Sequence, residues 1–233
     1  MVELRDQKLR INEIFFSVQG ESTWAGLPCV FIRLRGCHLR CNYCDTEYAF
    51  HEGEPWTIGR ILDEVDRIAP HCELIEVTGG EPLLQKQVHP LMTALCDAGK
   101  TVLIETSGAC DISVCDPRVI RIMDLKTPGS GESHRNLWSN LEHLNDRDEL
   151  KFVLTSREDY EWMRQTVREH RLHEKVKSVL VSAVHEVQPG LEIAGCPGLV
   201  LRDLVEWVLA EGLPVRVQTQ LHKLIWDPAA RGV

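Results

Sequence analysis

The sequence predicts an α/β fold with βαβ units around a parallel sheet, and two observations predict it. Short apolar runs rich in β-branched residues recur along the chain, and segments of helical period lie between several of them. The runs are CVFIRL (29–34), ELIEVT (73–78), TVLIET (101–106), VIRIMDL (119–125), ELKFVLT (149–155), KSVLVSAV (177–184) and VRVQTQ (215–220), each a strand with at least one buried face. The helical segments are 57–69, 83–99, 156–172 and 199–212. Alternation of this kind joins neighbouring strands in parallel through crossovers.

Local signals place several helix ends. Thr57 is positioned to cap the first helix, and Ser156 opens an S-x-x-D box with Asp159. Gly99 and Gly212 can close helices in the left-handed conformation. Pro90 predicts a kink or a late start in the second helix. No repeat, low-complexity tract or linker divides the chain, so residues 1–233 read as one domain.

Of the residues, 43% are hydrophobic and 26% charged, enough to bury a continuous core. A net charge of −9 with no Lys/Arg run argues against a nucleic-acid footprint and for a small-molecule substrate. The N-terminal MVELRDQKLRINEIFF interleaves charged with apolar residues, so it has neither a signal-peptide core nor a membrane span, and the expected location is the cytoplasm.

Nine cysteines in a reducing compartment point to thiols or metal ligands rather than disulfides. Six are scattered: Cys29, Cys72, Cys96, Cys110, Cys115 and Cys196 read mostly as small buried hydrophobes. Cys110 and Cys115 form a C-x4-C pair that could begin a second metal site, though no further ligands stand nearby. Cys37, Cys41 and Cys44 are different, because they follow a strand directly at C-x3-C-x2-C spacing in a polar loop. Structural zinc needs four ligands, and here only His38 or His51 could complete a set by breaking the pattern. A [4Fe–4S] cubane held by three cysteines keeps one iron open.

That motif, after the first barrel strand, resembles the signature of the radical S-adenosylmethionine superfamily, and TGGEP (78–82) resembles its GGEP motif. The resemblance implies a partial (β/α)6 barrel in which the amino and carboxylate groups of S-adenosylmethionine chelate the open iron. An electron from the cluster then yields a 5′-deoxyadenosyl radical. Two consecutive glycines also let a backbone approach a polar ligand closely.

Residues 11–37, with CDTEYAF, EVTGGEPLLQ, IETSG, DLKTPGSGE, ELKFVLT and the C-terminal QTQLHKLIWDPAARGV, resemble the 7-carboxy-7-deazaguanine synthase family over essentially the whole chain. The resemblance implies a lyase that rearranges 6-carboxy-5,6,7,8-tetrahydropterin to 7-carboxy-7-deazaguanine with loss of ammonia, toward queuosine and related 7-deazapurines. It implies an N-terminal substrate-binding strand segment, a C-terminal extension beyond the end of some shorter relatives, a flavodoxin or ferredoxin as electron donor, and a homodimer. The rival readings are a glycyl-radical activase acting on a partner protein and a zinc-holding structural module.

Residue by residue, the resemblance gives Cys37, Cys41 and Cys44 to the cluster and Thr46 to Mg2+, for which a hydroxyl is a weak but acceptable donor; the alternative is that Asp45 and Thr46 cap the loop. Arg33, a charge inside an apolar strand, is the forked partner of the pterin carboxylate. Glu21 or the carbonyls of Val18, Gln19 and Gly20 accept the guanidine-like ring edge, and Thr78 also faces the substrate. S-adenosylmethionine falls to Tyr43, Cys44, Asp45, Gly80, Ser107, Lys126 and Ser182, which lie at or after strand C-termini, where α/β barrels bind ligands. Asp124 and Leu125 join them in a DLK segment where many family members carry S-P-K, a departure that leaves their side-chain contacts open. Glu105 reads equally as a ribose partner or as a structural carboxylate.

Overall fold

A computed structural model describes residues 2–186 and 196–233. Its strands are β1 (Lys8–Val18), β2 (Pro28–Leu34), β3 (Glu54–Thr57), β4 (Leu74–Gly79), β5 (Thr101–Thr106), β6 (Ile120–Asp124), β7 (Glu149–Leu154), β8 (Ser178–Ala183) and β9 (Arg216–Gln218). The α-helices are α1 (Val2–Arg5), α2 (Ile58–Ile68), α3 (Val88–Asp97), α4 (Arg157–Glu169), α5 (Leu201–Glu211) and α6 (His222–Ile225). One nine-stranded sheet runs in the order β3-β1-β2-β4-β5-β6-β7-β8-β9. From β2 to β9 every neighbour is parallel, as the alternating pattern predicts, and the sheet stays open between its β3 and β9 edges. This is a partial barrel. No described helix is long and apolar enough to cross a membrane.

Two features depart from a regular (β/α)6 repeat. The crossovers from β5 to β6 and from β6 to β7 carry no α-helix, only irregular chain and, in the second, short 3-10 turns. The sequence shows no helical period in either stretch. The second feature is an antiparallel edge: β1 pairs with β2 from Val18↔Pro28 to Ile11↔Leu34, and β3 with β1. β1 escaped the apolar-run criterion because KLRINEIFFSV mixes charges among its apolar residues, as an antiparallel strand with one wet face does.

The expected helix ends are present. Thr57 accepts from the Arg60 amide, Ser156 from the Asp159 amide, and Gly99 and Gly212 have φ of +81° and +57°. Pro90 stands in the first turn of α3, where a missing N–H costs nothing, so the helix starts late rather than kinking. Asp159 completes only half of its box. Its carboxylate accepts from the amides of Gly129 (2.7 Å) and Thr155 (2.9 Å), tying α4 to the loop after β6.

Strand alternation and register decide where the site lies. One sheet face carries Ile32, Ile75, Val77, Ile104, Met123, Phe152, Leu154 and Val181, all buried, and packs beneath the helices, with α3 on β5, α4 on β7 and α5 on β8. The other face carries a polar set: Glu13 opposite Arg33, Arg33 opposite Thr78, Glu105 opposite Ile122, Asp124 opposite Lys151, and Ser182 opposite Gln218. Glu76 lies on that face one step below Thr78 and is buried. Buried charge on a barrel's inner face costs too much for packing alone to account for it, so this face is the place to look for chemistry.

Candidate active site

The cysteine loop leaves β2 through Gly36, whose φ of +101° turns the chain over the C-terminal strand ends. The loop is fixed by backbone bonds to its neighbours. Gly36 N donates to Ala49 O (2.8 Å), Asn42 N to Ser130 O (3.0 Å) and Glu81 N to Gly36 O (2.8 Å). The last bond joins it to the TGGEP turn, and here the glycines have a reason beyond ligand approach. A Cβ on Gly79 would strike the Leu34 backbone, and one on Gly80 would strike Cys37 Cβ and Gly36 O. Both are needed to seat the turn against the cysteine loop.

Cys37, Cys41 and Cys44 are free and only partly exposed. Burial pushes all three thiols up, Cys44 to about 11, so a ligand must offset that cost to draw thiolates from them. Around Cys41 lie Tyr43, Asp124 and Lys126, and Lys126 Nζ is 2.6 Å from Asp124 Oδ2. The Tyr43 hydroxyl and Asp124 Oδ1 are buried without a hydrogen-bond partner among the described residues. Leu125 turns its side chain into the apolar core and gives its amide to Lys151 O (2.9 Å), which leaves only its carbonyl for a ligand. Ser107 donates its hydroxyl to Glu81 Oε2 (2.5 Å), and Ser182 stands buried at the end of β8.

Arg33 sits on the polar face with its Nε on Glu13 Oε1 (2.7 Å), while its two terminal nitrogens make no hydrogen bond among the described residues. Tyr48 donates to the same Glu13 oxygen (3.0 Å). Thr78 is the next residue across the sheet. Of the N-terminal carbonyls, Gln19 O already accepts from Gly26 N (2.8 Å) and Gly20 O from Leu221 N (2.9 Å); Val18 closes β1 opposite Pro28. Gln19 also uses its side-chain amide on Glu76. Glu21 accepts from Lys151 Nζ (2.9 Å) and Gln220 Nε2 (2.8 Å). Burial alone would raise the Glu21 carboxyl, yet Lys151 and Gln220 hold it below its ordinary value. Thr46 is at the cap position of a 3-10 turn, but its side chain makes no capping bond and donates instead to Asp45 Oδ1 (3.0 Å). Asp45 itself is paired with Lys223 (2.5 Å).

Curated relatives match this chain over almost its full length. The 7-carboxy-7-deazaguanine synthases of Koribacter versatilis and Chlorobaculum tepidum are each 43% identical over 97% of the chain, which spans 100% and 97% of their own lengths. The chain belongs to the 7-carboxy-7-deazaguanine synthase family. The radical SAM superfamily model matches residues 31–124, the segment with both the cysteine loop and TGGEP. In fold, the crystal structure of QueE from Escherichia coli superposes with a TM-score of 0.73 at 22% identity, over 94% of this chain and 97% of that one.

Radical SAM membership implies a [4Fe–4S] cluster and S-adenosylmethionine, and the site's residues fit both. Among the described residues no three or more His, Cys, Asp or Glu side chains converge to hold a single metal ion. A tetrahedral zinc would need that convergence, whereas a cubane spreads its thiolates over three different irons. The same finding leaves the Cys110–Cys115 pair without a metal site of its own; Cys115 is buried and Cys110 half-buried. The unpartnered Tyr43 hydroxyl and Asp124 oxygen beside the cysteines suit a polar cosubstrate.

Several residues of this candidate site were not singled out from sequence. Glu76 and Lys151 carried the same signal as Arg33, a charge within an apolar strand, in ELIEVT and ELKFVLT. Glu81, inside the recognised motif, is fully buried and collects the bonds that hold the turn. Gln218, Gln220, His222 and Lys223 form a C-terminal wall: Gln218 accepts from Ser22 N (2.6 Å), and His222 packs against Gly20, where no side chain would fit.

Proposed function

We propose that the whole chain acts as one catalytic unit, a radical SAM lyase that converts 6-carboxy-5,6,7,8-tetrahydropterin to 7-carboxy-7-deazaguanine and ammonia. The observation that carries this reading is the pairing of recognition groups on one sheet face. Arg33 offers two unengaged terminal nitrogens, a fork for a carboxylate, while Glu21 offers a carboxylate to a guanidine-like ring edge. A pterin acid has both features, and the full-length likeness to named synthases supports the same substrate. An activase acting on a protein loop has no use for such a pair.

When bound, the cluster would supply the electron for reductive cleavage of S-adenosylmethionine and so the means of hydrogen-atom abstraction. The chain's own residues hold the reactants in place for it. Cys37, Cys41 and Cys44 would hold the cluster. Gly80 keeps its turn against Cys37, and Tyr43, Asp45, Ser107, Asp124, Leu125 (through its carbonyl), Lys126 and Ser182 surround the cosubstrate. Gln19 and Thr78 line the pterin side, with the Val18 and Gly20 carbonyls beside them. The reductant is a flavodoxin or ferredoxin. Anaerobically reconstituted protein given the pterin acid, S-adenosylmethionine and dithionite is expected to release 7-carboxy-7-deazaguanine and ammonia in equal amounts. Recovery of unchanged pterin rejects the reading.

Arg33→Lys keeps the charge and loses the fork, which costs on the order of 1.5–3 kcal/mol of binding, roughly ten- to hundredfold in KM. Iron content is expected to stay at the wild-type level. Unaltered kinetics would place Arg33 outside the substrate site.

Mg2+ completes the assignment, with the Thr46 hydroxyl as its protein ligand and substrate and water as the others. Thr46→Val preserves shape and removes that oxygen. The variant is expected to bind the cluster and cleave S-adenosylmethionine, turn over the pterin slowly and respond little to added magnesium. A wild-type magnesium response would move the ion elsewhere.

A further inference from the structure

Lys151 lies among a group of buried carboxylates on the inner sheet face. Its side chain is 8% exposed, and its Nζ lies 2.9 Å from Glu21 Oε2, 3.2 Å from Glu105 Oε1 and 3.8 Å from Asp124 Oδ1. These partners come from three separate places, the segment after β1, the end of β5 and the end of β6, so the ammonium ties the N-terminal segment to the centre of the sheet. Asp124 gives its other oxygen to Lys126, and Glu21 gives its other oxygen to Gln220.

We propose that Lys151 is a positioning residue for substrate: its ammonium fixes Glu21 in the charged and oriented form that accepts the guanidine-like edge of the pterin. The inference rests on the substrate reading above and goes beyond it by naming the group on which Glu21 depends.

Charge balance supports it. Glu21, Glu76 and Glu105 crowd around Lys151 while Asp124 has a second partner in Lys126, and a low-dielectric pocket does not tolerate all three glutamates ionised around one ammonium. The protons fall on the carboxyls farthest from compensation. Burial, with the Glu105 charge added, drives Glu76 well above its ordinary value, and burial raises Glu105 to about 7. Glu21 escapes because it holds the shortest contact to Lys151. The groups facing Glu21 are Lys151 from β7, Gln220 and His222 from the C-terminal segment, Glu76 from β4 and Glu105 from β5. Lys151 is the one among them that both carries a buried positive charge and touches the carboxylate. Without it, burial and the neighbouring carboxyls act on Glu21 unopposed and raise it.

The sign of the pH effect follows. In the wild type Glu21 lies below its ordinary value, so it stays ionised throughout the neutral range. In Lys151→Met its value rises, so it takes up a proton as pH falls and substrate binding weakens in the same direction.

The test uses the reconstituted holoenzyme and the pterin acid itself. Lys151→Met is expected to raise KM for the pterin acid about tenfold or more at about pH 6 and by less at about pH 8.5. Iron content should match the wild type, and Lys151→Arg should restore most of the loss at low pH. A Lys151→Met enzyme with wild-type KM at both pH values overturns the proposal, as does a loss of iron with a KM rise equal at both pH values, which marks a purely structural residue. Should Lys151→Met not fold, Glu21→Gln carries the test with Lys151 in place. It is expected to have a KM raised by a similar factor at both pH values, since the carboxylate is lost at each, and a wild-type KM overturns the proposal. Failure of the substrate reading looks different, because then the wild-type enzyme itself makes no product from the pterin acid.

Discussion

Replacing any one of Cys37, Cys41 and Cys44 by alanine is expected to abolish both the iron–sulfur cluster and cleavage of S-adenosylmethionine. The three thiols come from one loop anchored at Gly36 and Asn42 by backbone bonds to Ala49, Glu81 and Ser130. A cubane left with two protein ligands exposes a second iron to water and oxidant and does not persist. The loss should therefore be all-or-none in iron, sulfide and visible absorbance, with the fold retained, since these side chains are only partly buried and outside the apolar core. Cys110→Ala and Cys115→Ala serve as controls with unchanged iron. Full iron and activity in any one of the three cluster variants would sink the assignment.

Glu81→Ala is expected to be the most destabilising change in the site. The Glu81 carboxylate is fully buried and accepts from Leu83 N (2.9 Å), Ser107 N (2.7 Å), Ser107 Oγ (2.5 Å) and Thr106 Oγ1 (2.9 Å). Removing it strands two backbone donors and two hydroxyls in a dry environment. Each stranded group costs about 1–3 kcal/mol, and partial relaxation brings the sum to roughly 3–5 kcal/mol. For a chain of this size that lowers Tm by about 10 °C. Glu81 also donates its amide to Gly36 O, so disorder there should spread to the cysteine loop and reduce cluster loading as well. Glu81→Gln keeps the volume but turns one acceptor into a donor facing donors, and should lie between the two. Thermal melts of apo-protein with iron analysis of the reconstituted form check this; a wild-type Tm for Glu81→Ala would contradict it.

What could be read from the sequence was local. The cysteine spacing and the glycine pair are contiguous, and each has a physical reason that survives folding, although the Gly79–Gly80 reason turned out to be close packing on Leu34, Gly36 and Cys37. The parallel strands were legible because each is apolar on the helix-covered face. β1 was not, because its polar positions belong to a wet strand face and to the site. Arg33 stood out as a charge in an apolar strand, and the same test applied to ELIEVT and ELKFVLT would have found Glu76 and Lys151. The C-terminal wall was beyond such tests. The bond between Gln220 and Glu21 spans 199 residues, and nothing in QTQLHK announces its partner. Nor could sequence show that Asp45 is already paired with Lys223, or that the Leu125 side chain is committed to the core.

We propose, as part of the same function, that the chain directs hydrogen-atom transfer from carbon 6 of the pterin and that the hydrogen would be returned to product at the end of each cycle, so that S-adenosylmethionine would act as a catalyst. The measurement that bears on it most directly is the mass of S-adenosylmethionine recovered after turnover of pterin acid deuterated at carbon 6. The account predicts many product molecules per S-adenosylmethionine consumed, with deuterium appearing in the 5′ position of the recovered cosubstrate. One 5′-deoxyadenosine for every product, or recovered cosubstrate free of label, would contradict it.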